Sequence, residues 1–234
     1  MALGVTGFVV LTRQVSRDGR LVGRDWSVLG WFQRTAAAHP GFDGIAQALS
    51  DVGNVQVSGP VLLAGLVFAV WRGRRDGRPR WWLPPLAGVL VIAVVPVVVS
   101  KVKSAVARPA PGKIHLGPHT YAGFFPSGHT ATSSVAVGTA VLLVLPWVRR
   151  PVVRWLLAAV TVLLLLAVGA GLVWHGYHWP LDVLASWCLA VALLAVVAAA
   201  NACARPARPP APIDGPPAAP PSAVGGESEV EPPV

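Results

Sequence analysis

Charged residues are scarce in this chain of 234 residues: they make up 12% of it, whereas hydrophobic residues make up 54%. Soluble domains carry about 25% charged residues. The charges are also confined to short connecting stretches. This is expected if the long uncharged stretches lie in hydrocarbon, where a charge costs at least ~2.5–3.5 kcal/mol. The composition therefore excludes an ordinary soluble domain and predicts a protein embedded in a bilayer.

Cysteine is equally rare. Cys188 and Cys203 are the only two, and both lie in or just after an apolar stretch, which argues against a disulfide scaffold. No set of cysteines and histidines has the spacing of a zinc site, so we predict no metal and no cofactor. The formal net charge is +9, but the arginines flank apolar stretches and line no polar face, so a nucleic-acid partner is not expected.

Spanning helices need about 20 mostly apolar residues. Residues 1–12 are apolar but too short to cross alone, and they lack the basic leader of a signal peptide, so we interpret them as a partial or truncated first span. The predicted fold class is an all-α integral membrane helical bundle of six spans, the first one short, with five spans as the alternative. The five charge-free stretches that qualify are 52–71, 81–100, 130–148, 155–174 and 183–204.

Outside the spans, two further regions stand out. Residues 26–51 are predicted to form one or two amphipathic pieces at the membrane surface. Residues 205–234 are rich in Pro and Ala and are predicted to form a disordered tail, which leaves 1–204 as the membrane-embedded domain.

Basic residues orient the bundle. They are frequent in the connections 71–82 and 149–154 and directly after the last span, so the positive-inside rule places these segments and the tail in the cytoplasm. The opposite side carries nearly as many basic residues. Those between Lys101 and Lys113 are expected there for a chemical reason, because they belong to the candidate site. We therefore predict a multi-pass protein of the cell membrane with its site on the extracytoplasmic side.

Residues that can carry chemistry cluster on that side. Asp182 is the one acid between Asp76 and Asp214. A basic, histidine-rich patch at the boundary between water and lipid suits an anionic lipid head group. Its members are Lys101, Lys103, Arg108, Lys113, His115, His119, His129, His175 and His178.

Three local patterns sharpen this expectation. In the first, Lys101 precedes Arg108 by two helical turns, so the two share a face if the helix continues towards Pro109. An arginine fork and a lysine point charge both suit phosphate, although juxtamembrane lysines also bind head groups loosely.

The second pattern is Pro126-Ser127-Gly128-His129-Thr130, directly before a span. Ser127 suits an N-cap, Gly128 permits close approach of the backbone, and the helix N-terminus attracts anions. His129 in the first turn would then be able to give a proton to a leaving group. The alternative is an ordinary capped helix start with a chance histidine.

The third pattern runs from His175 to Asp182 between two spans. His178 and Asp182 face each other if the segment is helical, and a carboxylate on one imidazole nitrogen leaves the other free to attack. The alternative is that Asp182 serves only as an N-terminal helix charge after Pro180.

In this order and at the ends of spans, K-x6-RP, PSGH and H-x3-D resemble the motifs of the type 2 phosphatidic acid phosphatase family, over roughly residues 40–200. That family is related to bacterial acid phosphatases and vanadium-dependent haloperoxidases. The resemblance implies metal-independent hydrolysis of a lipid phosphate or pyrophosphate by a six-helix bundle. It implies that His178 forms a phosphohistidine, that Asp182 orients it and that His129 protonates the leaving oxygen. The phosphate-holding residues it implies are Lys101, Arg108, Ser127 and Gly128.

One departure from the family pattern stands out. The third motif usually begins with Ser-Arg, seven and six residues before the nucleophilic histidine, and here these residues are Gly171 and Leu172. The arginine that would hold phosphate in the family is therefore missing. Loss of one preorganised hydrogen-bond donor typically lowers the reaction rate by about 10²–10³. The auxiliary cations that we consider in its place are His175, Lys103 and Lys113.

Three functions follow as hypotheses. The first is a phosphatase acting on phosphatidic acid, phosphatidylglycerol phosphate or a polyprenyl phosphate. The second is a lipid-phosphate binding or transport protein without catalysis, which the missing arginine favours. The third, a vanadate-holding haloperoxidase, fits worst, because soluble substrates gain nothing from a membrane bundle.

Overall fold

The computed structural model describes residues 1–112 and 123–204, and every regular element in those two stretches is helical. The predicted tail and Lys113, His115 and His119 lie outside the described residues. Short 3-10 turns occupy Pro40–Phe42 and Leu145–Trp147. The α-helices are α1 Ala2–Ser16, α2 Arg20–Ala38, α3 Asp43–Val52, α4 Val55–Arg75, α5 Leu83–Val106, α6 Gly128–Val144, α7 Pro151–Trp174 and α8 Pro180–Cys203.

Five of these helices, α4 to α8, are long and apolar enough to cross a membrane. They coincide with the five predicted stretches to within a few residues, and their outer faces keep large apolar side chains exposed, among them Val160 and Leu163. Such faces suit contact with lipid chains. The predicted all-α membrane bundle is therefore confirmed.

α1 occupies part of a sixth position beside α8. Its 15 residues span about 22 Å, less than the ~30 Å of a hydrocarbon core. Gly4 lies against the backbone of Cys188 and Ala192, and Gly7 lies against the Cys188 side chain. α1 therefore runs antiparallel to the first half of α8, as the prediction of a short first span requires.

α6 forms the centre of the bundle, where it packs against α4, α5, α7 and α8. Small residues allow this close packing: a Cβ added to Gly65 of α4 would lie 2.7 Å from the Ala140 Cα of α6. Helices in membranes associate through such small residues, because burial from lipid gives little hydrophobic driving force.

The two ends of the bundle differ in chemistry. At one end the connections 71–82 and 145–151 meet. Trp147 donates a hydrogen bond to Asp76 there and lies under the Arg78 guanidinium. At the other end α5 and α7 finish, α6 and α8 begin, and the two surface helices α2 and α3 pack against α7. All three sequence patterns therefore lie at this second end.

Candidate functional site

Two histidines face each other at the second end of the bundle. The ring centroids of His129, in the first turn of α6, and His178, between α7 and α8, are 6.5 Å apart. Both rings line a cavity of about 490 Å³ whose wall includes Phe124 and Leu172. The structure thus brings the second and third sequence patterns together around a space large enough for a phosphate group.

His178 reaches Asp182 by a route that the sequence did not predict. The segment before α8 is not helical, so the two residues do not share a helix face, but the expected i, i+4 contact forms all the same. The chain turns at Gly176, whose φ of 65° suits glycine, and α8 begins at Pro180. Asp182, in the first turn of α8, then receives the His178 Nδ1 hydrogen bond at 3.2 Å.

The Asp182 carboxylate is fully engaged. Its Oδ2 also accepts a hydrogen bond from the Trp179 backbone N–H at 3.3 Å, and its Oδ1 accepts one from Arg108 at 2.8 Å. An ionised carboxylate only accepts hydrogen bonds, so the proton of a neutral His178 ring lies on Nδ1. The Nε2 lone pair is therefore free for a ligand or an electrophile.

The first pattern does not arrange its two cations as predicted. α5 ends at Val106, and Ala107 adopts a left-handed conformation with φ 47°, so Arg108 leaves the helix face that holds Lys101. Lys101 is exposed and does not line the cavity. Arg108 is buried and directs its guanidinium at two carboxylates, Asp182 and Asp25.

Lys103, predicted only as an auxiliary cation, lines a cavity with His129. This second cavity has a volume of about 380 Å³, and Gly128 and residues at the start of α4 also line it. Its Nζ is 5.9 Å from the centroid of the Phe124 ring, which itself contacts His178. Because His129 lines both cavities, the two are adjacent parts of one site.

The start of α6 has the predicted cap. Ser127 Oγ accepts hydrogen bonds from Thr130 N at 3.3 Å and from Thr130 Oγ1 at 3.0 Å, and the residue is fully buried. The N–H groups of the first helical turn have no intrahelical acceptor, so this end attracts negative charge. Gly128 lines the second cavity, whereas the Ser127 hydroxyl is occupied by the cap.

Asp25 is the residue that the sequence reasoning missed. It lies on α2, is 2% exposed, and accepts hydrogen bonds from Arg108 and from the Leu181 backbone N–H. Burial raises the pKa of the Asp25 carboxyl above its usual value, and the contacts with Arg108 and Leu181 oppose that shift. The one local clue to Asp25 in the sequence was its position next to Trp26. In the structure the Trp26 ring packs edge-on against Trp179 at the start of α8.

The departure in the third pattern has a packing explanation. A Cβ at Gly171 would lie 2.7 Å from the Ala46 carbonyl oxygen, because α3 packs directly onto α7 at this point. A serine here would therefore require the backbone of α3 to shift. Leu172 is 2% exposed and lines the first cavity, so the position usually held by arginine presents an apolar wall. His175 stacks on Tyr177 and lines neither cavity.

α3 contributes a polar wall that the sequence did not indicate. Tyr177 donates a hydrogen bond to Gln47, and Gln47 and Asn54 both donate to Asp51. Among the described residues that line the two cavities, Asp51 is the one carboxylate. Within 1–112 and 123–204, no three histidine, cysteine or acidic side chains are grouped as metal ligands.

The helical bundle defines a multi-pass membrane protein. One end of it carries cavities lined by two histidines and a lysine. Residues 82–203, more than half of the chain, match the PAP2 superfamily. The chain therefore belongs to the PAP2 superfamily, which the sequence resemblance also predicted.

A solved structure has the same fold. It is the crystal structure of the first transmembrane PAP2 type phosphatidylglycerolphosphate phosphatase from Bacillus subtilis, with a TM-score of 0.69 and 17% sequence identity. The similarity covers 89% of this chain and 100% of that one. A comparison with curated proteins finds no match.

Proposed function

We propose that this protein is a metal-independent phosphatase of lipid phosphates in which His178 is the nucleophile. The observation that carries the proposal is the arrangement of His178, held at Nδ1 by Asp182, opposite His129 across the cavity. Membership of the PAP2 superfamily and the fold shared with a phosphatidylglycerolphosphate phosphatase support it.

The reaction has two steps. In the first, the Nε2 lone pair of His178 attacks phosphorus, the bond from phosphorus to the lipid oxygen breaks, and His129 gives its proton to that oxygen. In the second, His129 takes a proton from water, which attacks the phosphohistidine and releases inorganic phosphate. The centroids of the two rings are 6.5 Å apart and both residues line the same cavity, so one phosphoryl group in that cavity can meet both histidines.

Charge on the phosphate is balanced by Lys103 and by the N-terminal end of α6 at Gly128. The family resemblance also predicts Lys101, Arg108 and Ser127 as phosphate ligands, but the contacts favour Lys103. A lysine beside the histidines supplies the positive charge that a divalent cation provides elsewhere, and it repels such an ion. We expect activity without metal because Lys103 and the N-terminal end of α6 already supply positive charge to the phosphate.

The substrate is a lipid phosphate of the outer leaflet. The arginine-rich connections at the first end of the bundle support a cytoplasmic position under the positive-inside rule, so we assign the two histidines to the extracytoplasmic side. The surface helices α2 and α3, with Trp26 and Trp31 exposed, suit the lipid head-group layer there. Phosphatidic acid, phosphatidylglycerol phosphate and polyprenyl phosphates all present their phosphate at this depth.

The test is phosphate release from those three lipid classes by purified protein in detergent with a strong chelator. We expect release by the wild type and none by His178→Ala, while His39→Ala, which alters an exposed histidine outside the cavity, retains activity. Acid-labile, base-stable radiolabel on the trapped wild-type protein would identify the phosphohistidine. Release by His178→Ala at the wild-type rate would refute the proposal.

A second function is favoured by the apolar wall at Leu172, which leaves phosphate charge less compensated than an arginine would. A lipid-phosphate binding or transport protein would bind the same lipids in the panel but release no phosphate. Retention of radiolabelled lipid phosphate without hydrolysis would decide for this alternative.

A further inference from the structure

The cavity that contains both histidines has room for more than a phosphate group. Its volume of about 490 Å³ lies within the ~300–1,000 Å³ that is typical of sites for whole small molecules. Besides the histidines, residues of α3, Asn54 and Tyr177 line it. These residues therefore border space that a part of the substrate beyond its phosphate would occupy.

Four polar side chains of this cavity are joined by hydrogen bonds. The Tyr177 hydroxyl donates to Gln47 Oε1 at 3.0 Å, and Gln47 Nε2 donates to Asp51 Oδ1 at 3.0 Å. Asn54 Nδ2 donates to the same Asp51 oxygen at 3.3 Å. A carboxylate has about four acceptor positions, so Asp51 can accept a further donor from a ligand. We call Gln47, Asp51, Asn54 and Tyr177 the polar wall.

The charge of the polar wall does not suit phosphate. Among the described residues that line this cavity there is no lysine or arginine, and Asp51 is the one carboxylate. A carboxylate repels an anion but accepts hydrogen bonds from hydroxyl groups. The polar wall therefore suits an uncharged, hydroxyl-bearing part of a substrate.

The polar wall also lies beside the histidine that meets the leaving oxygen. A Cβ added to Gly53, directly after α3, would lie 3.5 Å from the His129 Cβ. Asn54 and His129 both line the first and the second cavity. Because His129 protonates the leaving oxygen in the proposed reaction, the alcohol departs next to the polar wall.

These side chains are more than the solvated face of a surface helix. The exposed positions Gly44 and Ala48 of α3 carry no polar side chain, although a helix that only met water would carry polar residues there. Asp43 accepts a hydrogen bond from the Trp174 indole N–H at 2.8 Å. The other polar residues of α3 all line the cavity, and they are Gln47, Ser50 and Asp51.

We infer that the polar wall is a subsite for the leaving alcohol, and that it selects lipid phosphates with a free hydroxyl next to the phosphoester. The inference rests on the proposed function, because it concerns the leaving group of the same reaction. Asp51 accepts the hydrogen bond of that hydroxyl, and Gln47 and Asn54 hold Asp51 in place. Lysophosphatidic acid and phosphatidylglycerol phosphate carry such a hydroxyl, whereas phosphatidic acid and polyprenyl phosphates do not.

The test uses two substrates that differ by this hydroxyl alone, lysophosphatidic acid and its 2-deoxy analogue, in mixed micelles. For the wild type we expect kcat/KM to be about tenfold higher for the hydroxylated lipid, as one hydrogen bond to a charged group contributes. Asp51→Asn should reduce this ratio to about threefold, because a charge-assisted hydrogen bond is roughly twice as strong as a neutral one. Activity towards the 2-deoxy analogue should stay within about threefold of the wild type.

The matched control is Asp43→Asn, the same change on the same helix. Asp43 lines neither cavity that contains His129, and asparagine keeps an oxygen for the Trp174 N–H, so the tenfold ratio should persist. Gln47→Ala is a second variant that should lower the ratio, because it removes a donor that holds Asp51. Each ratio is measured on one preparation, so partial unfolding of a variant does not alter it.

Three results would overturn the proposal. The first is a wild-type ratio near one, which would show that the hydroxyl is not recognised. The second is the wild-type ratio retained in both Asp51→Asn and Gln47→Ala. The third is an equal loss of the ratio in Asp43→Asn, which would attribute the effect to the stability of α3 and not to the polar wall.

Phosphatidylglycerol phosphate and phosphatidic acid form a second pair that distinguishes the two sources of the hydroxyl. A decrease in Asp51→Asn for phosphatidylglycerol phosphate but not for phosphatidic acid would assign the subsite to the glycerol head group. A decrease confined to lysophosphatidic acid would assign it to lipids with a single acyl chain. Both results support a hydroxyl subsite.

Binding without turnover keeps this proposal distinct from the phosphatase proposal. In the detergent-solubilised His178→Ala protein, displacement of radiolabelled lysophosphatidic acid should need about tenfold more 2-deoxy analogue than unlabelled lysophosphatidic acid. Equal displacement by the two lipids would refute the subsite alone. Absence of phosphate release by the wild type would refute the phosphatase proposal alone, and the displacement ratio would still decide whether the subsite exists.

Discussion

The two lysines of α5 provide a sharp test of how phosphate is held. Lys101 occupies the position that the K-x6-RP motif predicts, whereas Lys103 lines the cavity with Gly128 and His129. Two residues correspond to about 200° around a helix, so the side chains leave opposite faces of α5. The paired perturbation is Lys103→Gln against Lys101→Gln, the same change on the same helix.

The structure sets the expected magnitudes. A lysine about 4 Å from a phosphate oxygen contributes ~4 kcal/mol at an effective dielectric constant of ~20, and loss of one preorganised donor typically lowers rates by about 10²–10³. Lys103 is half-buried, so solvent screens it less than it screens an exposed lysine. Lys101 is exposed, and exposed charges contribute ~1 kcal/mol or less. We expect kcat/KM to fall about 10²–10³-fold for Lys103→Gln and about fivefold at most for Lys101→Gln.

The assay is initial-rate phosphate release from a lipid phosphate in mixed micelles at fixed ionic strength, with thermal unfolding as a check that both variants are folded. Inhibition by inorganic phosphate provides a second measure, and Lys103→Gln should weaken it while Lys101→Gln does not. A larger loss of kcat/KM for Lys101→Gln than for Lys103→Gln would contradict this prediction. It would show that the lysine of the motif, and not the lysine that lines the cavity, binds phosphate.

Four further predictions follow from the site. His129→Ala should slow phosphohistidine formation and alcohol release together, because both occur as the bond from phosphorus to the lipid oxygen breaks; alcohol release at the wild-type rate in quench experiments would exclude His129 as the acid. Leu172→Arg should raise kcat/KM by up to about 10²–10³, with Leu172→Gln as the uncharged control, and equal activities would show that the wall does not face phosphate. Gly171→Ser should lower the free energy of unfolding by about 1–3 kcal/mol, because its Cβ would lie 2.7 Å from the Ala46 carbonyl, and an unchanged Tm would contradict that packing. Activity should persist in a strong chelator, and loss that added metal restores would overturn the proposed chemistry.

Several features followed from local chemistry alone. Long charge-free stretches define spanning helices, because hydrocarbon excludes charge whatever the neighbouring helices are, and the observed α4 to α8 match them closely. The cap at Ser127 is equally local, since its hydroxyl accepts an N–H only three residues further on. The order of the three motifs at span ends gave the resemblance to the family, which the match over residues 82–203 confirms.

Tertiary structure decided which groups meet. The left-handed turn at Ala107 separates Lys101 from Arg108, and no spacing rule predicts where a helix stops before a proline. The pairing of His178 with Asp182 arises from a turn at Gly176 and a helix that begins at Pro180, so the predicted contact formed by unpredicted geometry.

Asp25 illustrates the same division most clearly. It lies 83 residues before Arg108 and 156 before Leu181, and both contacts exist only because α2 packs over the start of α8. Sequence thus determined the membrane bundle and its spans, since these depend on burial of apolar length and on local helix ends. The partners of each charge were decided by packing, because a buried charge is satisfied by whichever group the fold brings within hydrogen-bond distance.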